Sequence, residues 1–171
     1  GRGGRGIYII DPSLNEILTS HGSHELRLSK DAFLASIAGE DVSGVEMLVM
    51  ERLVGPVHDL DILALHGEVF SHVTRKRLIS SAPNQGHAII DAPEMVALGQ
   101  KIVASLKLSW LFDIDIMADR QGRPVVLEVN PRASGSVSVG MVAGAPLMDD
   151  LISLALNEAV PHRMPPVGHK I

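Results

Sequence analysis

The residues able to do chemistry concentrate in one stretch of the chain. Leu111-Phe-Asp-Ile-Asp-Ile-Met-Ala118 is followed by a turn, Asp119-Arg-Gln-Gly122, and then by Val125-Val-Leu-Glu-Val-Asn-Pro-Arg132. Side chains alternate faces along a strand, so Asp113 and Asp115 share one face, and Glu128 and Asn130 share one face of the partner. If the hairpin closes at Gln121-Gly122, Asp115 lies near Glu128, and two carboxylates and an amide oxygen converge. Two anions held together in a sheet disfavour each other unless a cation sits between them. An all-oxygen set suits Mg2+, with Mn2+ as the alternative, and Mg2+ commonly takes one or two carboxylates plus substrate phosphates. Pro131 ends the strand and Arg132 adds a fixed positive charge. Ala133-Ser-Gly-Ser136 follows as a small, hydroxyl-bearing loop that can approach a ligand closely.

The same pattern has a plainer reading. Acids alternating with Ile, Met, Val and Leu are what any half-buried strand shows, with the acids in solvent and Arg132 paired to one of them. Pattern alone leaves both readings open.

The elements around this hairpin are legible from periodicity. Ile7 to Ile10 reads as a strand stopped by Asp11-Pro12, and Ser29 to Ile37 as a helix with Ser29 as N-cap and Gly39 as its end. Val45 to Leu53 is strand-like and stopped at Gly55-Pro56. Leu60 to Leu65 and Glu68 to Thr74 form a hairpin through His66-Gly67. Ala92 to Leu108 is the best helix, capped by Asp91 with Glu94 behind it, its face made by Met95, Leu98, Ile102, Val103 and Leu106. Leu147 to Ala159 reads as a closing helix, and the tail 161–171 as loose. Hairpins interleaved with helices predict an α+β fold, a largely antiparallel sheet covered by helices.

Composition bounds the function. The chain has 171 residues, 46 % hydrophobic and 20 % charged, enough for a sizeable core in one domain or a large piece of one. Aromatics are only 3 %, so that core is aliphatic. A net charge of −5 gives no general attraction to nucleic acid or anionic membrane. No cysteine is present, which excludes disulfides and thiolate metal sites. No apolar run is long enough to span a bilayer. Cytoplasm is the expected compartment. Gly1-Arg-Gly-Gly-Arg-Gly6 could be read as an RNA-binding RGG segment, but one short copy without aromatics argues against it. Arg75-Lys76-Arg77 is either a solvated patch or, with Arg75 and Arg77 on one face, a contact for phosphate or carboxylate. His21 and His24 have the look of inert loop histidines.

Leu127-Glu-Val-Asn-Pro-Arg-Ala-Ser-Gly-Ser136, followed by Ala143-Gly-Ala-Pro-Leu147, resembles the signature of the ATP-grasp superfamily, with its nearest likeness to the carbamoyl-phosphate-synthase-like branch. Gly1 to Ile10 resembles that superfamily's glycine-rich loop and following strand. Met50-Glu-Arg-Leu-Val-Gly55 resembles its adenine hinge, and Leu60 to Arg77 the next hairpin and its basic end. The resemblance implies residues 1–160 as a partial ATP-grasp domain. The upstream lysine, the first ATP-grasp subdomain and the preceding domain would lie outside this chain.

It also implies roles. Asp115, Glu128 and Asn130 would hold Mg2+ bridging the phosphates of ATP. Glu51, Arg52, Leu53 and Val54 would hold adenine, Gly3, Gly4 and Arg5 would cover the phosphates, and Asp61 or Asp59 would stand in for the missing ribose acid. Arg132 would be catalytic, with Arg75, Arg77, Ser134 and Ser136 near the substrate. Trp110 stands where a glycine is common. The implied activity is ATP-dependent ligation, in which a small-molecule carboxylate is activated as an acyl phosphate and attacked by an amine or ammonia. The alternatives are a fragment that binds nucleotide or metal without catalysis, and a plain α+β interaction domain.

Overall fold

A computed structural model describes residues 7–14, 18–19, 25–39, 41, 44, 46–79, 86–163 and 167–171. The chain divides into two compact units, Gly1–Arg52 and Leu53–Ile171. The first contains β1 (Ile7–Ile10), β2 (Leu18–Thr19), β3 (Glu25–Leu28) and α1 (Lys30–Ile37). β1 pairs parallel with β3, and β2 pairs antiparallel with it. Ser29 caps α1 as its sequence predicts, its Oγ accepting from the Ala32 amide at 3.1 Å. The predicted glycine-rich loop, with Gly3, Gly4 and Arg5, lies outside the described residues, as do His21 and His24.

The second unit is built on β4 (Val54–Leu65), β5 (Glu68–Arg77), β6 (His87–Ile89), β7 (Trp110–Ala118) and β8 (Pro124–Asn130). Their order is β6-β5-β4-β7-β8, and every pairing is antiparallel. The expected α+β fold with a helix-covered antiparallel sheet is therefore found. β4 turns into β5 through His66 and Gly67, at φ 52° and 92°, the two left-handed positions that a two-residue hairpin turn requires. The β7–β8 turn is closed by Asp119, whose Oδ1 accepts from the amides of Gln121 and Arg123, both at 2.9 Å.

One face of this sheet carries an apolar core across β4 and β7. Leu60, Ile62, Ala64, Phe112, Ile114 and Ile116 pack with Val103 of α2 (Pro93–Leu106). Of the predicted face, Met95, Ile102 and Val103 pack here, whereas Leu106 is 63 % exposed and Gly99 is buried in the contact. Gly99 brings the helix close: an added Cβ would stand 2.6 Å from Leu60 Cδ2 and 2.8 Å from Ile62 Cδ1. Gly99→Val is expected to destabilise the protein by about 1–3 kcal/mol through overpacking, read as a lower thermal midpoint; an unchanged midpoint would show that the two side chains yield freely.

The opposite face is divided along its length. Toward one end, Leu63, Val73, Ile89 and Leu111 pack under α3 (Val137–Val142) and α4 (Leu147–Ala155) with Ala143, Ala145, Leu147, Leu154 and Val160. Toward the other end, the same alternation carries acids.

Five expectations need correction. The described residues of the predicted strand at 45–53 form no strand: Leu48 and Val49 are 88 % and 92 % exposed, and β4 starts only at Val54. Gly55-Pro56 does not stop a strand but lies inside β4 at a register irregularity, with Gly55 at φ 84°. Asp91 does not cap α2, which starts with Pro93 after Ala92, proline being suited to the first helical turn because its missing N–H has no partner there. The closing helix ends at Ala155, and an unforeseen short helix, α3, precedes it. Nor is the whole tail loose: the His87 amide donates to Ile171 O at 2.7 Å and the Ile89 amide to His169 O at 2.8 Å, adding the chain end to β6.

Candidate functional site

Register brings the acids together. Asp115 lies opposite Glu128 and Asp113 opposite Asn130 across β7–β8. On the other side of β7, Asp115 lies opposite Asp59 and Asp113 opposite Asp61. Arg75 in turn faces Asp59 across β4–β5. The period of two thus places Asp59, Asp61, Asp113, Asp115, Glu128, Asn130, Arg75 and Arg77 on one face of four adjacent strands. The Asp-x-Asp repeat at 59–61 matches the one at 113–115 and is the signal that could have foretold it.

The two arginines are held by ion pairs and are not a free surface patch. Arg75 is fully buried. Its Nε donates to Asp61 Oδ2 at 2.9 Å, its Nη1 to Ser136 Oγ at 2.6 Å and its Nη2 to Ser134 Oγ at 2.8 Å. His87 Nδ1 stands 3.4 Å from Nη1. Asp61, expected at a ribose, is instead the buried partner of Arg75 and has no exposed surface to offer a sugar. Ser134 and Ser136, expected in a loop free to meet substrate, are buried and hold this guanidinium. Arg77 keeps 17 % side-chain exposure; it grips Asp59 through Nε and Nη2, and Nη2 donates to Asp115 Oδ1 at 2.7 Å.

Glu128 and Arg132 are exposed and Asn130 partly so. Asn130 Nδ2 donates to Glu128 Oε1 at 3.1 Å, and Arg132 Nη1 to the Ala133 carbonyl at 3.0 Å. Of the predicted hinge, Glu51, Arg52 and Val54 are exposed and Leu53 half-buried, and the segment runs from irregular chain into β4. Trp110 has φ 76°, the left-handed region that glycine fills without strain.

Negative charge exceeds positive here. Five carboxylates, Asp59, Asp61, Asp113, Asp115 and Glu128, meet two guanidiniums, Arg75 and Arg77, while Arg132 follows β8 and is exposed. Burial pushes the Asp113 carboxyl up to about 8, helped by the charges of Asp61, Asp115 and Asp59. Burial also raises Asp115 to about 6; Arg77 opposes the shift, and Asp59 and Glu128 add to it. Asp61 is raised by burial against the pull of Arg75. One oxygen each of Asp61 and Asp113 is buried without a hydrogen-bond partner. Such a face has the chemistry of a hard-cation site: oxygen donors only, surplus negative charge and unserved lone pairs. A cavity of about 250 Å³ beside Pro93, Met95 and Pro124 shares no residue with it.

Known proteins bear on this arrangement. No curated protein sequence matches the chain. Among solved structures, it resembles an N5-carboxyaminoimidazole synthetase from Staphylococcus aureus complexed with ADP, at 15 % identity and TM-score 0.54, over 66 % of this chain and 32 % of that one. It resembles Rhizobium etli pyruvate carboxylase at 17 % identity and TM-score 0.53, over 90 % of this chain and 16 % of that one. A third likeness is to an N5-carboxyaminoimidazole ribonucleotide synthetase from Thermotoga maritima, at 14 % identity and TM-score 0.50, over 75 % and 37 % of the two chains. At these identities the likeness is one of fold, and the chain spans 16 % to 37 % of their lengths. A family model described as "ATP-grasp in the biosynthetic pathway with Ter operon" matches residues 43–170, three-quarters of the chain and the whole of the acidic sheet. The chain therefore belongs to that ATP-grasp family, as the Glu-Val-Asn-Pro-Arg motif at 128–132 predicts for the superfamily.

Proposed function

We propose that this chain supplies the metal- and phosphate-binding part of an ATP-dependent ligase that activates a carboxylate as an acyl phosphate for attack by an amine or ammonia. The observation that carries the reading is the opposition of Asp115 to Glu128 and of Asp113 to Asn130, on a face with more carboxylates than guanidiniums. Asp115, Glu128 and the Asn130 amide oxygen would hold Mg2+, which when bound neutralises the phosphates of ATP.

The remaining work belongs to the chain's own groups. Arg132, exposed just beyond β8, would supply a fixed positive charge to an acyl phosphate. Arg75, through Ser134 and Ser136, pins the loop that follows Arg132 and so limits where that guanidinium can go. Positioning and charge neutralisation are what phosphoryl transfer chiefly asks of a protein. The adenine would lie along Glu51–Val54. Arg77, still partly exposed, is the substrate-side candidate of the basic pair.

The test is Mg2+-dependent binding of an ATP analogue, followed by calorimetry, together with turnover of the full-length protein. Glu128→Gln removes one charge at little steric cost. Turnover is expected to fall roughly hundredfold or more, the scale of losing one group that stabilises developing charge, with the thermal midpoint unchanged because Glu128 is exposed. Near-normal turnover, or analogue binding indifferent to Mg2+, would remove Glu128 from the metal site.

A further inference from the structure

Toward β4, away from Glu128, the acid face holds a feature that phosphate-linked metal binding does not explain. Asp59 on β4 and Asp113 and Asp115 on β7 each present a carboxylate oxygen, and these three atoms lie within 4.8 Å of one another. Opposite ligands around Mg2+ are about 4.2 Å apart and around Ca2+ about 5 Å, so a hard divalent ion fits this span with small side-chain shifts.

Asp113 is the second, independent sign. It is only 3 % exposed, and its Oδ1 has no hydrogen-bond partner. Among the described residues, the two guanidiniums on this face are already paired. Arg75 is taken by Asp61, Ser134 and Ser136, and Arg77 by Asp59 and Asp115. A buried carboxylate oxygen left unserved is costly, and such exceptions point to a missing ligand. Arg77 and Asp115, with 17 % and 15 % side-chain exposure, form the side open to solvent.

We propose that Asp59, Asp113 and Asp115 form a cation pocket of their own, for a hard divalent ion, that fills without nucleotide. Arg77 is its competitor. Its guanidinium bridges Asp59 and Asp115 where the ion would bind, and ion entry frees it to turn toward an anion at the open side. The pocket shares Asp115 with the phosphate-linked set but needs neither Glu128 nor Asn130. It does not depend on the ligase reading.

The probe is Mn2+ alone, titrated into the nucleotide-free full chain and followed by electron paramagnetic resonance. Asp113→Asn is expected to weaken uptake about tenfold or more, in the range found when one group of a metal site is disturbed. Arg77→Gln is expected to tighten it by removing the competing charge, and Glu128→Gln to leave it nearly unchanged. Since Asp113→Asn could misfold, the parent chain supplies a second reading: Mn2+ without nucleotide raises its thermal midpoint. No uptake by the parent chain overturns the proposal. So does an equal loss in Glu128→Gln and Asp113→Asn, which would mean one shared site, and so does weaker uptake in Arg77→Gln. Failure of the ligase reading would appear separately, as absent Mg2+-dependent analogue binding alongside intact Mn2+ uptake.

Discussion

Arg75→Met is expected to destabilise the protein by about 3–5 kcal/mol, the usual cost of removing one partner from a buried ion pair. The size follows from what the guanidinium holds. Arg75 is fully buried and donates to Asp61, Ser134 and Ser136 at 2.9, 2.8 and 2.6 Å. Methionine fills much of the volume but leaves the Asp61 carboxylate, itself wholly buried, without its partner. Arg75→Lys keeps the charge but not the planar fork that reaches three partners at once, so most of the loss persists. Arg75→Met combined with Asp61→Leu removes both charges and recovers a large part of it. Chemical denaturation of the four proteins is the measurement. A loss below about 1 kcal/mol in Arg75→Met, the range of exposed pairs, would mean that the network is solvated and not structural.

Without metal, the protein is expected to lose stability as pH rises from about 4 to about 8. Asp113 titrates at about 8 in the fold against 3.8 as an ordinary carboxyl, so between these values the folded chain holds a proton that the unfolded chain has released. The state binding more protons is disfavoured as pH rises, and here that is the native state. The stabilisation is fully present below about pH 4 and gone above about pH 8. Asp115, raised to about 6, acts with the same sign over the lower half of the window. At about 1.4 kcal/mol per unit, the Asp113 shift sets a loss on the order of a few kcal/mol. Asp113→Asn should flatten the slope between pH 6 and 8, where only this group is still titrating among those two. Denaturation midpoints at about pH 5 and pH 8, for parent and variant, decide it. A profile flat or rising with pH in the parent would place Asp113 in a wetter setting. Saturating Mn2+ should also flatten it, since a bound cation holds the carboxylates ionised and releases their protons.

Much of this was legible in the residues. Alternation at 111–118 and 125–130 gave the β7–β8 hairpin, and the facing of Asp115 and Glu128 followed from closing it at Gln121-Gly122. The His66-Gly67 turn and the Ser29 cap were readable because each rests on contacts a few residues apart. Where tertiary contacts competed, local reading failed. The run at 45–53 has strand propensity, yet its described residues have no strand beside them, and an unpaired strand leaves its backbone groups unserved. α2 packs through the predicted Met95, Ile102 and Val103 but seats Gly99 on Leu60 and Ile62 and leaves Leu106 exposed, which no period in the helix alone could announce.

The sequence by itself determined which residue types could form a hard-cation site and that they would lie on one face of paired strands, because the side-chain period of a strand is fixed by its covalent geometry. Only the tertiary structure decided that β4 stands between β5 and β7. That neighbourhood brought Asp59 and Asp61 beside Asp115 and Asp113, buried Arg75 and made Ser134 and Ser136 its partners. Strand order sums packing over the whole sheet, and a charge's surroundings depend on groups up to 61 positions away, as from Arg75 to Ser136. No local pattern carries that information.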